Sequence, residues 1–559
     1  MNEAFASVRA LAEAIRARVA GATDDVEVRV ERADQVSYSI EGRALIPELE
    51  CDAWRVAMRA RRGGRLAIAP TTGSSVDDAA GALLRSLSAA QPDALEDFAA
   101  LHETPPDGRG WDDAAAALID RPAQVRSLAA SMAEAARSAA PNPDLVIEGG
   151  VKVGRTWRAM ATARGATVLS GSTVGSAFLM VDGNEWESLA GTAAPTEQGV
   201  RALGRGLVGG LPPREVTVAE WLGGPKEVTV IIDPRLLESL LRSLFLERVG
   251  LDRVVSGLSS AAVGDVVGAP IFSLFDDSGA AGSLAGAIVD DEGTLGQRKT
   301  VVERGVLRTL LADRRSAKVA WGGASTGNGF RLPLMAEDAS EAPVRVGMGH
   351  LDMPEGNTPR MKLASGRTVV LTDLLGVHSA NKATGAFNNP VQGGVALEDG
   401  VPVARLKAGA WSATGNFHAM LRALSGVSAE RAHLSTALAL AVASCSGESP
   451  VDAPRSLDAS VTADAPDAPD VRDAPEVATE VTRGAAVFRR YCASCHGARG
   501  AGTGDGPDLR REVPASPDAE IQRILREGGR MMPMVPIDDA QRADVFAWLR
   551  ATFGAYEEP

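Results

Sequence analysis

The sequence predicts a multi-domain chain: a long mixed α/β (α+β) front part, an acidic linker without regular structure, and a small all-α end. Three observations predict it. Helical and strand-like patterns alternate through residues 1–428. Residues 448–480 repeat Asp-Ala-Pro and hold no aromatic side chain, so they cannot bury enough surface to fold. Residues 483–559 carry short helical patterns around a Cys-x-x-Cys-His cluster.

The front part is justified element by element. Apolar residues at helical spacing predict helices over 5–19, 76–90, 123–139 and 236–246. Alternating or β-branched runs predict strands over 26–30, 227–232 and 367–372. A proline-containing stretch over 211–216 divides the region into residues 1–215 and 216–428. The first 21 residues are charged throughout and lack the apolar stretch of an export leader, which predicts a cytoplasmic front part. No run of 18 apolar residues occurs, so no ordinary membrane helix is expected.

With 559 residues and 45% hydrophobic content, the chain can supply several cores. A net charge of -14 argues against a nucleic-acid or anionic-membrane binder, leaving small molecules or proteins as partners. Four cysteines, Cys51, Cys445, Cys492 and Cys495, are too few for a disulfide scaffold. Lone Cys51 is expected to be a buried thiol. Asp290-Asp291-Glu292, followed by Gly293, is expected to turn between strands rather than hold a cation. His378 beside Asn381 lacks a nucleophile or metal partner and reads as a loop histidine.

Cys492-Ala493-Ser494-Cys495-His496 is the attachment signature of a c-type haem. Two thiols three residues apart on a helical turn add to the two haem vinyl groups, and the adjacent imidazole meets the iron. No Cys or His follows His496, which removes a zinc site, and no βαβ pattern surrounds the pair, which removes a redox dithiol. The whole segment resembles a class I cytochrome c. Val487, Phe488 and Tyr491 share one face of its first helix, and residues 521–525 and 537–553 supply later helices, with Trp548 expected in the core. The resemblance implies that the carbonyl of Pro507, in Gly506-Pro507-Asp508-Leu509, orients axial His496. It also implies that Met532, directly before Pro533, is the sixth iron ligand, with Met531 and Met534 as alternatives. His/Met ligation leaves no open iron position, so the domain is expected to pass single electrons to redox partner proteins.

The second half of the front part resembles the TldD/PmbA family. The matching pieces stand in the family's order: VTVIIDPRLLESLL from Val228, FSLFDDSG from Phe272, VDDEGTLGQRKT from Val289, Ser325-Thr326-Gly327-Asn328, Pro354-Glu355-Gly356-Asn357, GVHSANKATGAFNNP from Gly376, and Thr414-Gly415-Asn416. In the family's zinc-peptidase branch a helix carries HExxxH. Here the corresponding helix, residues 235–247, has no histidine, and leucines stand where ligands would. The resemblance is therefore to the PmbA (TldE) branch, which implies a non-catalytic subunit that binds no zinc and partners a TldD-type zinc protease. The alternative, that the chain is itself a metallopeptidase, lacks its ligands.

Between the two ends, residues 429–446 read as a lipoprotein signal. Arg431 and His433 precede apolar residues 434–443, and Val442-Ala443-Ser444-Cys445 fits the box in which a Cys is lipidated. Membrane attachment would then run through the lipid on Cys445 or through residues 434–443. This segment stands where the family's final strands would be, and residues 447–482 form the tether. A conflict of compartment follows, because haem attaches to CxxCH outside the cytoplasmic membrane whereas PmbA-like proteins work inside it. A fusion of two neighbouring genes, real or artefactual, accounts for it.

Overall fold

The computed structural model describes residues 2–92, 98, 101, 110–140, 146–181, 185–209, 212, 214–223, 228–278, 280, 282, 289–331, 342–431, 438–442, 484, 487, 488, 492, 509–527 and 539–554. The chain divides into two compact units, residues 1–332 with 343–447, and residues 333–342 with 448–559.

The first unit opens with a seven-stranded antiparallel sheet. Its order is Gln91–Pro92, Arg65–Thr72, Ala44–Arg62, Asp25–Glu41, Ile147–Thr162, Val168–Val181 and Glu185–Gly191. The central strand reads VEVRVE from Val26, and successive side chains of a strand point to opposite faces. Val26, Val28 and Val30 pack under helices Asn2–Val19 and Val76–Ser86. Val36 and Ile40 continue the same face under helix Pro122–Ala139. Ser75 caps one of these helices by accepting from Asp78 N, and Pro122 at the first turn suits another. Glu27, Arg29 and Glu31 therefore point the other way.

The second half of this unit is built on a mixed sheet in the order Leu424–Arg431, Leu438–Val442, Thr229–Ile232, Arg367–Leu374, Ala386–Glu398, Val401–Leu406 and Glu215–Val216. Its strand Thr229–Ile232 runs into helix Pro234–Leu240, whose start is set by Asp233 accepting from Arg235 N and by Pro234. A five-residue π segment, Leu241–Phe245, leads to Leu246–Val249. Smaller sheets flank this core: Val306–Leu307, Arg298–Glu303, Leu274–Asp277 and Leu351–Asp352, and the pair Gly329–Arg331 with Val344–Val346.

Two expectations from the sequence are changed here. Cys51 is exposed, not buried. The register slips between Ala33 and Gln35, Asp52 takes φ +56°, and residues 44–52 of their strand are exposed or half-buried. Past Asn416 the sheet also continues, through Leu424–Arg431 and Leu438–Val442, where the sequence reading ends the region at 428. Leu438–Val442 lies between two strands, pairing Leu440 with Ile232 and Val427.

In the second unit, helices cover Leu509–Ala515, Asp518–Glu527 and Asp539–Phe553, the last two where the sequence places helices over 521–525 and 537–553. Among the described residues, no helix of the chain is long and apolar enough to cross a membrane.

Candidate functional site

Three places answer to the sequence's candidates. In the second unit, Val487, Phe488, Cys492, Val513, Ile521, Leu525, Val545 and Leu549 form one apolar cluster. Gly484 lies against the last helix so closely that a Cβ there would sit 2.0 Å from the Asp544 carbonyl oxygen and 2.6 Å from Trp548 Cβ. That approach lets Phe488 stack on Trp548 at 4.2 Å between centroids, with Phe553 edge-on at 5.5 Å. Trp548, expected in the core, is half-buried and packs against this cluster. Cys492, 6% exposed, follows one helical turn after Phe488, whose carbonyl accepts from Cys492 N at 2.8 Å. A thiol held in an apolar cluster fits thioether attachment of a flat apolar macrocycle. Cys495, His496, Pro507, Met532 and the alternatives Met531 and Met534 lie outside the described residues, as does Cys445.

The second place is the helix that carries zinc ligands in the family's peptidase branch. Leu236, Leu237, Leu240, Leu241, Leu244 and Phe245 are all buried in the core, and Phe245 meets Phe272 edge-on at 6.0 Å. The helix is a packing element. Its polar side chains serve structure: Arg242 pairs with Glu238 and donates to the carbonyls of Met348 and Gly349. Among the described residues, no group of three or more His, Cys, Asp or Glu side chains is placed to hold a metal.

The third place is a buried charge layer that the sequence does not announce. Arg59 stands directly across from Glu27 in the strand register and grips it through both Nε, at 2.9 Å, and Nη2. Its Nη1 reaches Glu292 at 3.3 Å, in the second half of the unit. Arg29 pairs with Asp291, and Glu31 receives Arg158 at 2.7 Å. Arg331 Nη2 stands 3.8 Å from Glu27. Burial works against the Arg59 charge, yet Glu27 and Glu292 outweigh it and raise its pKa. Burial, together with the nearby Arg59 and Arg29 and against the pull of Glu27, lowers that of Arg331 to about 10.

The acidic run makes the turn expected of it: Asp290 N donates to Thr294 O, and Gly293 adopts φ +79°. Asp290 is buried as well. Its carboxylate accepts from Glu292 N, Thr294 N and Gly329 N, but burial first and neighbouring Glu292 second raise its pKa to about 8. The other shared pieces are likewise structural. Asn328 donates to Asp276 and to Gly347 O, and Lys299 pairs with Asp276 at 3.3 Å. Gly356 packs so closely on the Val427 carbonyl that no side chain would fit. His378 lies exposed on the short 3-10 turn Val377–Ser379.

The fold is that of a TldE-like α/β protein over its first unit, followed by a unit with three helices among its described residues. Residues 225–456 match the family model of the PmbA/TldA metallopeptidase C-terminal domain, and residues 479–549 that of cytochrome c oxidase, cbb3-type, subunit III. The chain therefore joins a TldD/PmbA-family region to a c-type cytochrome domain. Among solved structures it is similar to TldE from Thermococcus kodakarensis, with TM-score 0.64 and 18% identity over 79% of this chain and 99% of that one. Two proposed modulators of DNA gyrase are similar too. That from Thermotoga maritima gives 0.62 at 18% identity, covering 78% and 99%; that from Bacteroides thetaiotaomicron gives 0.62 at 16%, covering 78% and 98%. No curated protein sequence matches the chain.

Proposed function

We propose that the second unit is a one-electron carrier holding one covalent haem on Cys492 and Cys495, with His496 and Met532 on the iron and Pro507 orienting His496. The observation that carries this reading is the buried Cys492 thiol in an apolar cluster closed by Phe488 and Trp548. When bound, the haem supplies a reversible one-electron iron couple. The chain's own residues exclude water from it: Phe488, Leu525 and Leu549 form an apolar wall, and the Gly484 crossing brings the first and last helices together. The front unit we assign as a non-catalytic subunit that pairs with a TldD-type zinc protease. The leucine-packed helix supports the non-catalytic part. Exposed Val255, Leu258, Val263, Val266 and Ile271, grouped within residues 255–271, support docking on a partner protein.

This reading places the cytochrome domain on the periplasmic or envelope side and the front unit in the cytoplasm. One experiment tests the haem domain and the join. Native cells are blotted with antibodies to each end, and the same denaturing gel is stained for haem. Stain that survives denaturation and tracks the C-terminal antibody supports the carrier. A band near full length shows one polypeptide; a small haem-positive band shows two products. An unstained C-terminal band would refute haem attachment.

A further inference from the structure

Leu438–Val442 fills a slot between two strands. Three consecutive residues pair on both sides at once: Leu440 with Ile232 and Val427, Ala441 with Ile231 and Gly426, and Val442 with Val230 and Leu424. The two walls of the slot are held independently of what fills it. Thr229–Ile232 runs parallel to Arg367–Leu374, pairing from Thr229 with Thr368 to Ile232 with Leu371, and Asp233 N donates to Leu371 O at 2.8 Å. Leu424–Arg431 is tied down from elsewhere: Gly356 N donates to Ser428 O at 2.8 Å, and Ala429 N to Thr358 O at 2.9 Å. An empty slot would therefore present two unpaired backbone edges, one of them beside Val230, Ile231 and Ile232, which are 3%, 0% and 2% exposed. Unmet backbone donors and acceptors in such surroundings cost free energy, and an open apolar edge invites aggregation.

The same residues form the middle of the leader-like segment. Residues 438–442 lie within the apolar stretch 434–443, and Val442 is also the first residue of the box Val442-Ala443-Ser444-Cys445. A leader works only while its apolar stretch stays out of the fold and enters the membrane, where its backbone groups must be satisfied within the segment itself. A strand whose donors and acceptors go to residues 230–232 and 424–431 meets neither condition. The match to the PmbA/TldA C-terminal domain runs to residue 456 and so takes in this strand.

We infer that the front fold and the leader compete for residues 438–442, so that a chain whose front unit closes its sheet keeps its second unit on the same side of the membrane. The order of synthesis favours the fold, because residues 1–431 emerge before the segment and domains fold as units, N-terminal first. Export of the second unit then comes from chains in which the slot stays empty. The inference rests on the leader function of residues 429–446 and not on haem attachment.

The test expresses the full-length chain in a bacterial host and follows its C-terminus with an antibody in membrane and cytosolic fractions. The parent should run as a full-length cytosolic band. In the purified parent, the amides of Leu440–Val442 should exchange with solvent at least about a hundredfold more slowly than in an unstructured chain. Ile231→Pro removes a ladder donor from the neighbouring strand without touching the segment. It should release a small membrane-bound band that begins at Cys445, raising the ratio of small to full-length band about tenfold or more. Adding Cys445→Ser to that variant should abolish the small band, which separates leader processing from chance proteolysis. A small band as abundant in the parent as in Ile231→Pro, or one that survives Cys445→Ser, overturns the competition. Exchange of the parent's Leu440–Val442 amides at the unstructured-chain rate overturns it without any variant. Absence of the small band from both parent and Ile231→Pro overturns it by removing the leader function.

Discussion

Replacing Arg59 with methionine tests whether the charge layer holds the two halves of the front unit together. Arg59 is 5% exposed, Glu27 0% and Glu292 1%. The substitution keeps the aliphatic stem but removes the guanidinium that satisfies Glu27 twice and Glu292 once. Breaking a buried pair from one side leaves an uncompensated charge, which costs about 3–5 kcal/mol. A unit of roughly 430 residues unfolds with an entropy near 0.9 kcal/mol/K, so the melting midpoint should fall by roughly 3–6 °C. Calorimetry of the full-length chain reads that transition. Removing both partners of the strand pair, in Glu27→Leu with Arg59→Met, should restore much of the loss, because well-packed apolar residues often replace a buried pair at little cost. A single variant melting within about 1 °C of the parent, or a double variant less stable than the single, would refute the reasoning.

Other outcomes follow from the same geometry. The raised Asp290 pKa means that the folded protein holds a proton the unfolded carboxyl, at 3.8, releases; this stabilisation is complete below 3.8 and is lost as pH rises through about 8. The melting midpoint should therefore drop as pH rises from 3.8 to about 8, and Asp290→Asn should flatten that drop, even though it loses the acceptor for Gly329 N. The sign reverses for His418, whose pKa falls from 6.5 to about 4: its contribution is present above 6.5 and fades as pH falls toward 4. His418→Gln should flatten that acid limb. Cys492→Ser should remove one of the two thioethers, read as weaker or altered haem stain and a shifted pyridine haemochrome band. Gly484→Val would drive side-chain atoms into the last helix at Asp544; circular dichroism should report a loss of stability of about 1–3 kcal/mol or more, with less haem incorporated.

The comparison of sequence with structure is instructive at particular residues. Helix Asn2–Val19 and helix Pro122–Ala139 were legible because apolar residues repeat at helical spacing and neither needs a distant partner to reveal its face. The cytochrome end was legible for a different reason: the thiols, the imidazole and the flanking helix lie within one short stretch, so chemistry and spacing coincide. The leucines of residues 235–247 were legible as an apolar helix face, and Leu236, Leu237, Leu240, Leu241 and Leu244 are buried. Asp290–Glu292 was half legible, since its turn is local while its burial is not.

The sequence by itself determined the periodicities, the haem signature and the kinship of the second half with the TldD/PmbA family, all of which are properties of residues close together in the chain. Only the tertiary structure decided the rest. The alternation VEVRVE states that Glu27, Arg29 and Glu31 share a face, but polar residues at period two ordinarily face water; here a loop some 260 residues later covers them, converting a solvated face into a buried ion layer. The exposure of Cys51 and the strand made of Leu438–Val442 have the same origin. Each depends on which distant segment arrives against it, and the free energy of burying or pairing a side chain is set by that neighbour rather than by the residues beside it in the chain.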